Sequence, residues 1–324
     1  MAKVTFGEWA ADWLRTTVHL KPKTIEGYES LLRKHLLPAF EDVPLGHIRQ
    51  LDVREWVSGL SATGLSPSRT GQGYRLLGAI LRSAVESGHI PKSPAFGIDL
   101  PRIQMNEMRF LREDEVDHLA ETITAPYETL VYLLAYGGCR WGEATALRRS
   151  RCDLLRTRLE IAESVSDVSG QLHFGPTKTY RRRTIVLPQF LVNKLAAHIA
   201  THVGPGPDAL IFTTPDGSPL RNGNFNKRIW RPAIEQAGVA PLTIHDLRHT
   251  AASLLISEGA HPKAIQVHLG HSSIAVTMDR YGHLFPSDQE DLAARLDARY
   301  EAAQVSHVDK LWTEGSLAVS PLSG

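Results

Sequence analysis

Six side chains in the later part of this 324-residue sequence have types that together can do chemistry on a phosphate: Arg140, Lys178, His245, Arg248, His271 and Tyr281. Arg140 lies in Gly137-Gly138-Cys139-Arg140-Trp141-Gly142-Glu143, where the glycines let the backbone turn sharply and aim a guanidinium from the start of a helix. Lys178 sits in the turn-rich Pro176-Thr177-Lys178-Thr179-Tyr180, at the tip of a hairpin expected between two strand-like runs. There it is either an ordinary solvated lysine or an ammonium that reaches a departing oxygen. His245 and Arg248 are three apart at the start of a helix, so they share a face and can hold one phosphate together. His271 follows Leu269-Gly270, and Tyr281 comes ten residues later. A phenol with a pKa of about 10 is protonated at neutral pH, so a nucleophilic Tyr281 needs neighbouring cations to favour the phenolate. Each residue alone reads equally well as surface or packing, and only the set makes chemical sense.

His245 and His249 are four apart, as in zinc-binding HExxH helices. Asp246 stands where that motif has glutamate and no further HxxE follows, so no metal site is expected.

The elements that must carry these groups divide the chain. Residues 1–90 read as an all-helical domain. Thr5 and Glu8 form a capping-box pattern ahead of Phe6, Trp9, Ala10, Trp13 and Leu14. A second helix is predicted over Thr24 to Leu37 with Pro38 as its stop. Asp52 and Glu55 repeat the capping pattern before Trp56, and Ser66-Pro67 opens a longer helix that Gly88 closes. Pro91, Pro94 and Pro101 mark 91–109 as an extended linker. A second domain, 110–300, begins with helices near Glu113 to Thr122 and Tyr127 to Tyr136. Strands are predicted at Leu154 to Ala162, Gln171 to Phe174 and Arg183 to Leu187, and helices then return. The fold class is therefore mainly α with a small antiparallel β-sheet. A tail, 301–324, is expected to be poorly ordered.

Composition narrows the partners. With 42% hydrophobic and 22% charged residues, no long apolar run and no secretory layout at the N-terminus, the expectation is a cytoplasmic protein with no membrane contact. Cys139 and Cys152 form no CxxC pair and read as small core residues. A net charge of +1 argues weakly against nucleic acid, but its distribution says more. From Arg140 to Arg183 ten basic residues face five acids, whereas from Ser287 onward seven acids face three basic residues. Arg181, Arg182 and Arg183 form a candidate DNA phosphate-contact run.

The order Arg140, Lys178, His245-x-x-Arg248, His271, Tyr281 resembles the signature of the tyrosine recombinases, the phage integrase family. Glu143 in Gly138-x-Arg140-x-x-Glu143 and the turn Leu269-Gly270-His271 match that family's boxes as well. Residues 5–88 resemble its helical, SAM-like core-DNA-binding domain by layout, which makes 110–300 the catalytic domain. The resemblance implies a site-specific recombinase. Arg140 and Arg248 would clamp the scissile phosphate, Lys178 protonate the leaving 5′ oxygen, and His245 move the proton of Tyr281. His271 would hydrogen-bond the phosphate, and Tyr281 form a 3′-phosphotyrosyl bond. Glu143 would support this set. It further implies double-stranded DNA core sites, a homotetramer on two duplexes, no cofactor and no metal, with a directionality factor or host DNA-bending protein as possible accessories. Ser287-x-x-Glu290 would cap a C-terminal helix with Leu292, Ala293, Leu296 and Tyr300 on one side, docking in cis or in trans. Many phage integrases carry an arm-site-binding domain first. This sequence reaches Thr5 at once, and so either serves simple sites or is a shortened form.

Three other readings compete: a catalytically silent DNA-binding protein on the same fold, a type IB topoisomerase, and a metallohydrolase built on His245 and His249. The first predicts a lost catalytic position, and none is lost. Relaxation of site-free supercoiled DNA separates the second, and activity in chelator the third.

Overall fold

In the computed structural model, which describes residues 4–103, 108–177, 182–285, 289 and 292–301, the first helix, α1 (Phe6–Thr16), starts at the capping box. Glu8 N donates to Thr5 Oγ1 at 3.3 Å, and Thr5 N donates to Glu8 Oε2 at 2.9 Å. α2 (Pro22–Leu31) then continues without a break through a π-helical stretch, Leu32–Leu36, into α3 (Leu37–Phe40). Pro38 was expected to stop this helix and does not. In the wider π turn Leu37 N bonds back to Leu32 O, so the proline, with no N–H to give, enters as the first turn of a new α segment.

α4 (Gln50–Ala62) begins earlier than the pattern predicts. Arg49 is its N-cap residue, and Asp52 sits inside the first turn, accepting from Arg49 N at 2.8 Å. α5 (Pro67–Glu86) follows the prediction, with Ser66 Oγ accepting from Arg69 N and Gly88 at φ +76° beyond its end. Leu36, Val53, Leu77, Ile80 and Leu81 form the centre of a core that takes in Phe6 to Ile90.

A second core runs from Leu111 to Leu247. α6 (Glu113–Thr122) and α7 (Glu128–Gly137) pack on each other, and the short α8 (Trp141–Ala144) follows. The predicted strand over 154–162 is interrupted. Cys152–Asp153 (β1) leads into a 3-10 turn, Leu154–Arg156, with Thr157 left-handed at φ +57°, before β2 (Arg158–Ile161). β3 (Glu163–Val168) pairs antiparallel with β4 (Gln171–Pro176) across a turn in which Ser169 and Gly170 both have positive φ, the conformation a tight hairpin requires.

β5 (Arg183–Val186) does not pair with β4, as a hairpin tip at Lys178 would demand. It joins β2 in the sheet β1-β2-β5, with Leu159 opposite Ile185. Alternating apolar residues reveal strands but not which strands become neighbours. Beyond the sheets come α9 (Gln189–His202), α10 (Asn222–Phe225), a π-helical stretch at Asn226–Trp230, α11 (Arg231–Gln236), α12 (Asp246–Ser257), α13 (Pro262–Leu269) and α14 (Ile274–Tyr281).

The described residues fall into two compact units, one reaching Ala251 and including His268–Gly270, the other comprising Ala252–Val267 and those from His271 onward. Ser287 and Glu290 lie outside the described residues, while 292–301 are helical with Leu292, Leu296 and Tyr300 all more than half exposed. Burial pushes the thiols of Cys139 and Cys152 up to about 12; Cys139 lies in the core as expected, whereas Cys152 is half-buried and packs against it. Among the described residues no helix is long and apolar enough to cross a membrane.

Replacing Ser66 with alanine removes the side-chain acceptor at the start of α5. Urea unfolding should show a loss of about 1 kcal/mol.

Candidate active site

α13 ends at Leu269, where a helix leaves its last carbonyls without intrahelical donors. Three arginines from three different elements supply them. Arg183 Nε donates to His268 O at 3.0 Å, Arg248 Nη2 to Leu269 O at 2.6 Å, and Arg140 Nη2 to Gly270 O at 3.2 Å. Arg248 also donates through Nη1 to Gly138 O, so one buried guanidinium ties the end of α7 to the end of α13. Gly138, at φ +61°, turns the chain from α7 into α8, and Gly270, at φ +68°, turns it out of α13. A Cβ on Gly138 would lie 2.6 Å from Leu269 Cδ2, and one on Gly270 would lie 2.9 Å from Arg183 Cδ.

Glu143 sits under this corner and is 1% exposed. It closes a capping box with Arg140, accepting from Arg140 N at 3.0 Å and from Nη1 at 2.8 Å. Arg183 meets both its oxygens, Nη1 at 3.1 Å and Nη2 at 2.7 Å. Burial would raise the Glu143 carboxyl, but the guanidiniums of Arg183 and Arg140 outweigh burial and hold it at about 2. The same carboxylate keeps Arg183 above its ordinary value although burial opposes its charge. His268, by contrast, is pushed down to about 4 by burial and by Arg183 and Arg248, so its imidazole adds no further charge.

His245 is exposed in the turn before α12, with its ring 5.0 Å from that of buried His249. In the second unit, His271 Nδ1 is 2.8 Å from Thr277 Oγ1, and its ring stacks on Tyr281 at 6.3 Å and 17°. Tyr281 is the last residue of α14 and is fully buried. Lys178 and Arg181 lie outside the described residues. The carbonyl of Thr177, just before Lys178, accepts from Lys21 Nζ at 2.9 Å. Arg182 is exposed, 3.5 Å from Glu160. No cluster of metal ligands occurs among the described residues.

One candidate is placed differently from its expected role. Arg183 was expected on the DNA-facing surface with Arg182, yet its side chain is 9% exposed and its donors are spent on Glu143 and His268 O. The signal lay in strand alternation: Arg183 is two residues from buried Ile185 and therefore points to the same inner side of β5.

The fold has counterparts among solved structures. The Tn1549 transposon integrase, solved in complex with transposon right end DNA, superposes with a TM-score of 0.78 at 20% identity, over 92% of this chain and 100% of that one, so the fold is that of an integrase. The profile described as the phage integrase family matches residues 109–288, and that of the phage integrase N-terminal SAM-like domain matches residues 5–61. A putative prophage phiRv2 integrase of Mycobacterium tuberculosis is 31% identical over 296 residues, 90% of this chain and 77% of the relative. The integrase of Mycobacterium phage FRAT1 is 28% identical over 90% of this chain and 88% of its own length. The chain belongs to the phage integrase family of tyrosine recombinases.

Because Glu143 is held at about 2 against an ordinary 4.5, its charge contributes stability above pH 4.5 that fades as the pH falls toward 2. The shift corresponds to about 3 kcal/mol. Urea unfolding across this range should show the acid loss in the wild type. Glu143→Gln leaves Arg183 buried without its counter-charge, so it should start about 3–5 kcal/mol lower and show a shallower acid slope.

Proposed function

We propose that this protein is a site-specific DNA recombinase that cleaves and rejoins strands through a 3′-phosphotyrosyl bond to Tyr281. The observation that carries the reading is the anchoring of Arg140 and Arg248 on the successive carbonyls of Gly270 and Leu269. Two guanidiniums so held form a rigid, permanently charged cradle for the nonbridging oxygens of one phosphate. They stabilise the charge of the pentacoordinate transition state without a metal.

In this mechanism Tyr281 Oη attacks phosphorus as His245 takes up its proton, and the bond to the 5′ oxygen breaks as Lys178 protonates that oxygen. His271, oriented by Thr277, donates to the phosphate. A 5′ hydroxyl from the partner duplex reverses the steps. The phosphodiester energy is kept in the covalent bond, so no nucleotide cofactor enters. Since Tyr281 is fully buried, attack requires α14 to present it. The domain limits that suit this reading are 1–90 for core DNA binding and 110–300 for catalysis, acting as a homotetramer on two core sites inside a bacterial or phage-infected cell.

A core site is first selected by binding from random duplexes and rebuilt as a nicked suicide substrate. Incubation in chelator should then give a covalent adduct on a denaturing gel, absent with Tyr281→Phe although that variant still binds. Binding by the wild type with no adduct would sink the proposal in favour of a silent DNA-binding protein.

A further inference from the structure

Arg183 lies in the basic run but is built into the protein. Its backbone is fixed by pairing with Ile161 across β2 and β5, and its stem packs against the backbone of Gly270. Its guanidinium grips both oxygens of Glu143, the planar pairing that gives arginine its geometric specificity. We propose that Arg183 is a positioning residue for DNA cleavage, fixing Glu143 and the His268 carbonyl so that Arg140 is set on the scissile phosphate. The inference rests on the reading of Arg140 as a phosphate clamp.

A single carboxylate between Arg140 and Arg183 leaves the trio with one net positive charge. Without Arg183, Glu143 and Arg140 become a neutral pair, and both carboxylate oxygens draw Arg140 inward, away from a phosphate. The third anchor, on the last turn of α13, is lost as well, so the chain leading to the Gly270 carbonyl that orients Arg140 is held less firmly.

Among the described residues few groups face Glu143. Arg140 comes from its own helix and Arg183 from β5, with the neutral Cys139 thiol beside them. Arg148, Arg151, Glu160 and Glu163 line the small cavity against it, where Arg148 pairs with Glu163 and Arg151 with Glu160. Arg183 is therefore the charge whose loss Glu143 feels most. With one guanidinium left and burial unchanged, the Glu143 carboxyl rises, and a protonated Glu143 no longer holds Arg140.

The test uses the full chain with R183M, R183K, E143Q and the double variant R183M/E143Q. Core-site affinity is measured by mobility shift, and single-turnover adduct formation is followed at saturating suicide substrate from pH 5 to pH 8. R183M should bind DNA as the wild type does but form adduct on the order of 10- to 100-fold more slowly. It should also gain an acid limb, its rate falling with pH through the raised carboxyl, that the wild type lacks. R183K, which restores the charge but not the two-pronged grip, should recover part of the rate. The double variant should lose no more than E143Q alone, because Arg183 acts through Glu143.

Losses that multiply in the double variant would overturn the proposal. So would a wild-type rate and pH profile in R183M, or weakened DNA binding with an unchanged saturated rate, the mark of a phosphate contact. If R183M melts below the assay temperature, the comparison of E143Q with the double variant, in which no buried charge is stranded, decides alone. If the wild type forms no adduct, the reading of the reaction fails rather than the role of Arg183.

Discussion

The structure depends on how three guanidiniums are satisfied where α13 ends. A helix terminus exposes carbonyls that need donors, and a buried arginine needs acceptors around its whole rim. At His268, Leu269 and Gly270 the two needs meet, one arginine to each carbonyl. Glu143 supplies the one negative charge the group requires, since buried like charges without it would oppose folding. The left-handed turn at Gly138, the capping box of α8 and the inward register of β5 all serve this corner, each delivering one member to it.

Charge counting along the sequence is a poor guide to which cations can meet DNA. Each of the five acids between Arg140 and Arg183 is ion-paired: Glu143 with Arg140 and Arg183, Asp153 with Arg156, Glu160 with Arg151 and Arg182, Glu163 with Arg148, and Asp167 with Arg221. Part of the basic excess is therefore internal framework. The same holds for α2 and the residue before it. Lys21 and Lys23 donate to the carbonyls of Thr177 and Asp167, and Glu26 accepts from Ser169 N, so these side chains grip the β3–β4 hairpin.

Much was legible from spacing. The Thr5 and Ser66 caps, the helix at Glu113–Thr122 and the Gly138-x-Arg140-x-x-Glu143 turn depend on local bonding between residues three or four apart, which sequence order fixes directly. What failed depends on longer range or on irregular geometry. Pro38 breaks an α-helix but not a π turn, and Asp52 fits either a cap or the third position of a helix. The partner of β5 is chosen by packing across the sheet. The candidate set from Arg140 to Tyr281 could be listed residue by residue, yet Arg183 was grouped with Arg181 and Arg182 because a run of like residues hides the alternation of a strand.

The two glycines at the corner set a limit of their own. At Gly138 and Gly270 the backbone is left-handed and the neighbouring atoms already stand within the reach of a methyl group. Even alanine, the mildest of side chains, has no room there. In any collection of active variants, natural or selected, these two positions should vary as little as the arginines around them. The reason would be space rather than charge, so the corner is guarded against drift by residues that take no part in its chemistry.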